Sequence, residues 1–150
     1  MGLLFTVALI LLGLIGARGA VAEKLPASQK YIDPLKSNQQ IIGIIGFVLG
    51  IIALFRWVEA LAYLKLYPIN ALFGLALILI ELALSFIFGL DAIRPTLKGQ
   101  GAQFMLKAET FRSKLLPYQK ILSIIAIVCG ALRLLFFIAI IIGLTPFMMY

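Results

Sequence analysis

The chain contains no histidine and a single cysteine, Cys129, which sits inside an apolar run. Without histidine there is no His-ligated haem, no His-containing zinc site and no imidazole base. One cysteine cannot form an internal disulfide, so the redox compartment cannot be read from it. Six scattered acids are too few and too dispersed for a carboxylate metal cluster. Walker loops and dinucleotide fingerprints are also missing. The expectation is a non-catalytic protein with no cofactor and no metal.

Charge is scarce as well. Charged residues make up 13% of the chain, against roughly 25% in soluble domains. Hydrophobic residues reach 63% of 150, with a mean hydropathy of +1.13. One small globule cannot hide that much apolar surface, because a domain of this size still exposes much of itself. The composition therefore predicts an integral membrane protein of the plasma or inner membrane, as a single membrane domain over residues 1–150.

A helix needs about 20 mostly apolar residues to cross a bilayer core. Four stretches meet that length: 3–22, 41–64, 69–90 and 121–144. The fold class is thus all-α with four transmembrane helices. The first stretch has a rival reading, since "GARGAVAE" resembles a signal cleavage site. It lacks a basic leader segment, and a retained helix is expected.

The cations fall unevenly between these stretches. Arg18, Lys24, Lys30 and Lys36 follow the first, and Arg94, Lys98, Lys107, Arg112, Lys114 and Lys120 follow the third. The second connection holds only Lys65. This bias predicts that loops 18–40 and 91–120 face the cytoplasm and both termini lie outside. The net charge of +7 then belongs to one membrane face, where anionic headgroups are its partner and nucleic acid need not be invoked.

The chain also repeats itself. "LFTVALILL" (4–12) and "LFGLALILI" (72–80) agree at six of nine positions, and "QQIIGIIGFVLG" (39–50) and "QKILSIIAIVCG" (119–130) at six of twelve. Two αα-hairpins, 1–66 and 67–150, related as parallel repeats, are the predicted arrangement. Small residues at matching places, Gly46 and Gly50 with Ala126 and Gly130, suit close helix packing. Between residues 102 and 116, Phe104, Ala108, Phe111 and Leu115 share one helical face, while Lys107, Arg112 and Lys114 lie on others. That pattern predicts an amphipathic interfacial helix whose basic side meets lipid phosphates.

Two charges interrupt the apolar stretches near mid-depth, Glu81 in the third and Arg133 in the fourth. Either alone at the centre of a span costs about 2.5–3.5 kcal/mol on insertion scales. An intramembrane ion pair between them is the simplest remedy, with a protonated, neutral Glu81 as the competing state. Arg56 and Glu59, one turn apart near Trp57, Tyr63 and Tyr67, read as outer-interface charges among aromatic anchors. Two functions fit: an accessory or scaffold subunit of a larger membrane complex, or a homo-oligomeric small transporter or channel using Glu81 and Arg133. Other membrane subunits, or further copies of the chain itself, are the protein partners expected.

Overall fold

A computed structural model describes residues 2–24, 29–60, 68–94 and 101–142. Among them every element is helical and none is a strand. Helices α4 (Gln39–Ala60), α5 (Pro68–Ile93) and α7 (Gln119–Ile141) are each long and apolar enough to cross a membrane. At about 1.5 Å per residue, each exceeds the roughly 30 Å of a hydrocarbon core. Helix α1 (Gly2–Gly16) is shorter, at 15 residues. It runs on into α2 (Arg18–Lys24), because the Ala17 amide donates to the Gly13 carbonyl and the Val21 amide to that of Ala17, both at 2.9 Å. The hydrogen-bond ladder thus passes the joint, and the first predicted span is formed by two helices that meet at Ala17.

The connections are helical too. Helix α3 (Gln29–Ser37) contains Pro34, whose carbonyl accepts a hydrogen bond from the Asn38 side chain at 3.2 Å just before α4 begins. Helix α6 (Ala102–Leu115) passes through a 3₁₀ turn at Leu116–Tyr118 into α7. The second connection, with Tyr63, Lys65 and Tyr67, lies outside the described residues, as do Lys98, the boundary between 1–66 and 67–150, and the tail after 142.

Four helices, α1, α4, α5 and α7, pack around a core of Leu9, Leu12, Leu77, Leu84, Ile87 and Ala126. The most extensive contacts join α4 to α5 and α1 to α7; α1 also lies on α4, and α5 touches α7 more lightly. Each of the two closest pairs therefore takes one helix from either half of the chain.

Glycine decides how near α4 and α5 come. A Cβ added at Gly43 would lie 2.5 Å from the Gly89 nitrogen and 2.9 Å from its Cα, so the two backbones are in contact. The predicted small-residue positions also face neighbours within the chain. Gly46 meets Leu12 and Ser85, Gly50 meets Leu82, Gly130 meets Ile10, and Ala126 is fully buried. Outward, α4 and α7 expose Ile45, Val48, Phe55, Val128, Leu132 and Leu135, the surface that lipid covers in a membrane.

Helix α6 is docked onto the end of α5. Ala108 is buried, Leu115 packs against the core, and the Phe111 ring meets Phe86 edge-on at 5.5 Å. Arg112 donates both arms of its fork to Asp91, at 2.7 and 2.9 Å, and Arg94 pairs with Glu109. Arg112 therefore has a different partner from the lipid phosphates expected of it. A carboxylate at the end of α5 matches its planar fork, so a protein contact takes the place of the headgroup. Phe104, Lys107 and Lys114 remain exposed.

A charged cavity as candidate functional site

Three of the four singled-out charges stand at increasing depth from the end where α4 stops and α5 starts. Arg56 lies four residues before the last residue of α4, Arg133 eight before the last of α7, and Glu81 thirteen beyond the first of α5. At about 1.5 Å per residue these are depths of about 6, 12 and 20 Å. Glu59, the fourth, is exposed.

Glu81 has no solvent exposure, and neither carboxylate oxygen has a hydrogen-bond partner among the described residues. The closed ion pair expected with Arg133 is not formed. Arg133 instead holds its guanidinium over the Phe5 ring, 5.5 Å from the centroid. The cause is geometric: Arg133 and Glu81 stand about 8 Å apart in depth at about 1.5 Å per residue, and α5 and α7 make only a light contact.

Next along the same face of α5, one turn beyond Glu81, is Ser85. It and Ser123 on α7 are fully buried, and their hydroxyls have no partner among the described residues. Ser123 lies against Gly16, and Ser85 against Gly46. Thr6, also buried, has a partner of its own. The bundle interior therefore contains a carboxylate and two hydroxyls with unused hydrogen-bonding capacity, each costly to bury without a partner.

Above Glu81 the bundle is open. A cavity of about 200 Å³ is lined by Phe5, Ala53, Arg56, Trp57, Gly74, Ile78 and Arg133. Ile78, its deepest lining residue on α5, precedes Glu81 by less than a turn. Trp57 is fixed there by a hydrogen bond from its indole nitrogen to the Ala71 carbonyl at 2.8 Å, which also stitches α4 to α5. Neither arginine has an ion-pair partner among the described residues. A second cavity, of about 370 Å³, shares Gly74 and Arg133 and is otherwise lined by Phe73, Leu77, Cys129, Leu132 and Phe136.

Sequence reasoning found Arg56, Arg133 and Glu81 but assigned Arg56 to the interface, apart from the other two. It missed Phe5, Trp57 and the cavity itself. A signal was available in the alignment of the two halves, where Phe5 falls opposite Phe73, Ala53 opposite Arg133 and Arg56 opposite Phe136, all cavity residues. Among the described residues no group of acids and cysteine could hold a metal ion.

Compared with protein-family models, curated proteins and solved structures, the chain matches none. Fold and site together define a helical protein of membrane-span-like helices with an open cavity lined by two arginines.

Proposed function

We propose that this chain is a small non-catalytic transporter or channel of the plasma or inner membrane, in which Glu81 takes up and releases a proton or cation and Arg133 modulates it. The observation that carries this reading is Glu81 itself, fully buried with both oxygens unpartnered, less than a turn below a cavity lined by two arginines. A carboxylate placed only for stability would be paired, because an unpartnered one costs several kcal/mol when charged. Intramembrane acids of this kind mark ion pathways and proton relays. Ser85 and Ser123 extend the polar path toward the far end of the bundle.

The alternative, an accessory subunit, drew on charges and glycine faces free to meet neighbouring chains. Those supports weaken, since Glu81, Gly46, Gly50 and Gly130 all face inward within one chain. What continues to favour a subunit is the small mass outside the helices.

The cation bias supports both termini outside, loops 18–40 and 91–120 in the cytoplasm, and anionic lipid at that face. Duplication is supported by the contacts. Exchanging the two repeats turns the α1–α7 pair into α5–α4, the other close pair. Leu35 and Leu115, aligned in the two cytoplasmic connections, both pack against the core.

Proton uptake into liposomes containing only the purified chain tests the function. Uptake in wild type that is lost in Glu81→Gln supports it. Equal uptake in both, or no uptake of protons or of monovalent cations by wild type at any imposed gradient, refutes it.

A further inference from the structure

Modulation of Glu81 calls for one arginine, Arg133, and the second arginine of the cavity points to what binds there. Both are permanently charged, because guanidinium does not deprotonate in proteins. Both lack an ion-pair partner among the described residues and line one space. Arg133 contacts a phenyl face, which leaves its in-plane N–H donors available. Paired guanidinium forks match the oxygens of a carboxylate or phosphate.

The neighbouring cavity differs in character. Phe73, Leu77, Leu132 and Phe136 give it apolar walls, and Phe73, Leu132 and Phe136 are exposed on the surface of the bundle. It opens between α5 and α7, the lightly packed side. At about 370 Å³ it falls within the roughly 300–1,000 Å³ of small-molecule sites, whereas the arginine cavity, at about 200 Å³, is smaller. The two adjoin at Gly74 and Arg133.

We propose that Arg56 and Arg133 bind the acid group of an anionic amphiphile, whose apolar chain occupies the cleft between α5 and α7. The ligand enters sideways from the lipid, acid group toward the arginines and chain along Phe73 and Phe136. Free fatty acids and anionic lysophospholipids share this chemistry. The inference names a solute class for the site proposed above and rests on that reading only for transport, since binding stands by itself.

The aligned repeats add an independent argument. At the positions of Arg56, Arg133 and Glu81 the other copy holds Phe136, Ala53 and Gly13. Packing alone is satisfied by uncharged residues at the matching places, and two of the three charged departures, Arg56 and Arg133, line one cavity, with Glu81 less than a turn beyond its lining residue Ile78.

Trp57 is the only tryptophan in the chain and lines the arginine cavity, so its fluorescence reports occupancy. The experiment titrates the full chain, in nanodiscs of zwitterionic lipid, with decanoate, decanol, acetate and inorganic phosphate. Decanoate is expected to saturate the Trp57 signal at least tenfold more tightly than decanol, acetate or phosphate. Arg56→Gln, at a residue that is exposed and without an ion-pair partner among the described residues, is expected to weaken decanoate at least tenfold and leave decanol unchanged. Nanodiscs of anionic phospholipid separate the sources. If they shift Trp57 before any addition and block decanoate, membrane lipid is the ligand; if decanoate still titrates, the free acid is. Decanol binding as tightly as decanoate overturns the acid site, and acetate or phosphate binding as tightly overturns the apolar cleft. Decanoate binding with no proton uptake removes the transport reading and leaves this one intact.

Discussion

A single added methyl group at Gly43 is the sharpest test of how α4 and α5 meet. Its nearest neighbours would be backbone atoms, the Gly89 nitrogen at 2.5 Å and the Phe88 carbonyl carbon at 2.9 Å, which cannot rotate away. Ordinary contacts of a Cβ begin near 3.4 Å, so the helices must separate by about 0.9 Å. Overpacking of this kind costs about 1–3 kcal/mol, and the better helix propensity of alanine returns about 0.8–1 kcal/mol. The net expectation for Gly43→Ala is a loss of up to about 2 kcal/mol. Gly50→Ala meets the side chain of Leu82 at 2.7 Å, which can turn aside, so its effect should stay within about 0.5 kcal/mol of zero. Gly19→Ala has no atom within 4 Å and should gain up to about 1 kcal/mol. Thermal unfolding in one detergent orders the three, and for a chain of this size each kcal/mol moves Tm by about 2–4 °C. Gly43→Ala melting with or above Gly50→Ala would mean that the two backbones are not in contact.

Other perturbations follow from the charges and the tertiary hydrogen bond. Glu81→Leu should leave Tm unchanged or raise it, because no hydrogen bond to Glu81 is lost and buried charges replaced by apolar groups are often neutral or stabilising by about 1–4 kcal/mol; a clear fall in Tm would restore a locking ion pair with Arg133. Asp91→Asn and Arg112→Gln in a double-mutant cycle should show a coupling of about 1 kcal/mol, weaker in high salt, since the pair is about three-quarters buried but still wetted. Zero coupling would mean that this pair contributes nothing to holding α6 on α5. Trp57→Phe, which removes the bond to Ala71, should cost about 1 kcal/mol by the same melting assay, and an unaltered Tm would deny that stitch.

The spans were the legible part of the fold, because length and apolarity follow from the thickness of the bilayer. Helices α4, α5 and α7 lie within a few residues of the predicted stretches, and the break of the first at Ala17 falls beside Arg18, where its clean apolar run stops. Depth along each helix was legible too, and it put Glu81 and Arg133 near the middle. Azimuth was not, because an apolar helix in lipid has no polar face to mark its inside. That is why Arg56 read as an interface residue when it shares a cavity with Arg133, and why a pair expected from depth alone is not closed. The Asp91–Arg112 and Arg94–Glu109 pairs were hidden for another reason: they depend on where α6 folds back against α5, through a connection whose course no local pattern specifies. Gly43, by contrast, stood in plain view three residues before Gly46, and only its partner Gly89 was missing.

The most direct test of a bundle that completes its own charged site is the mass of the protein extracted gently from its native membrane. A species made only of copies of this chain, with or without bound lipid, is the predicted result. A foreign chain present in fixed stoichiometry would contradict it, and would make Glu81 and the two arginines part of a subunit held within a larger assembly.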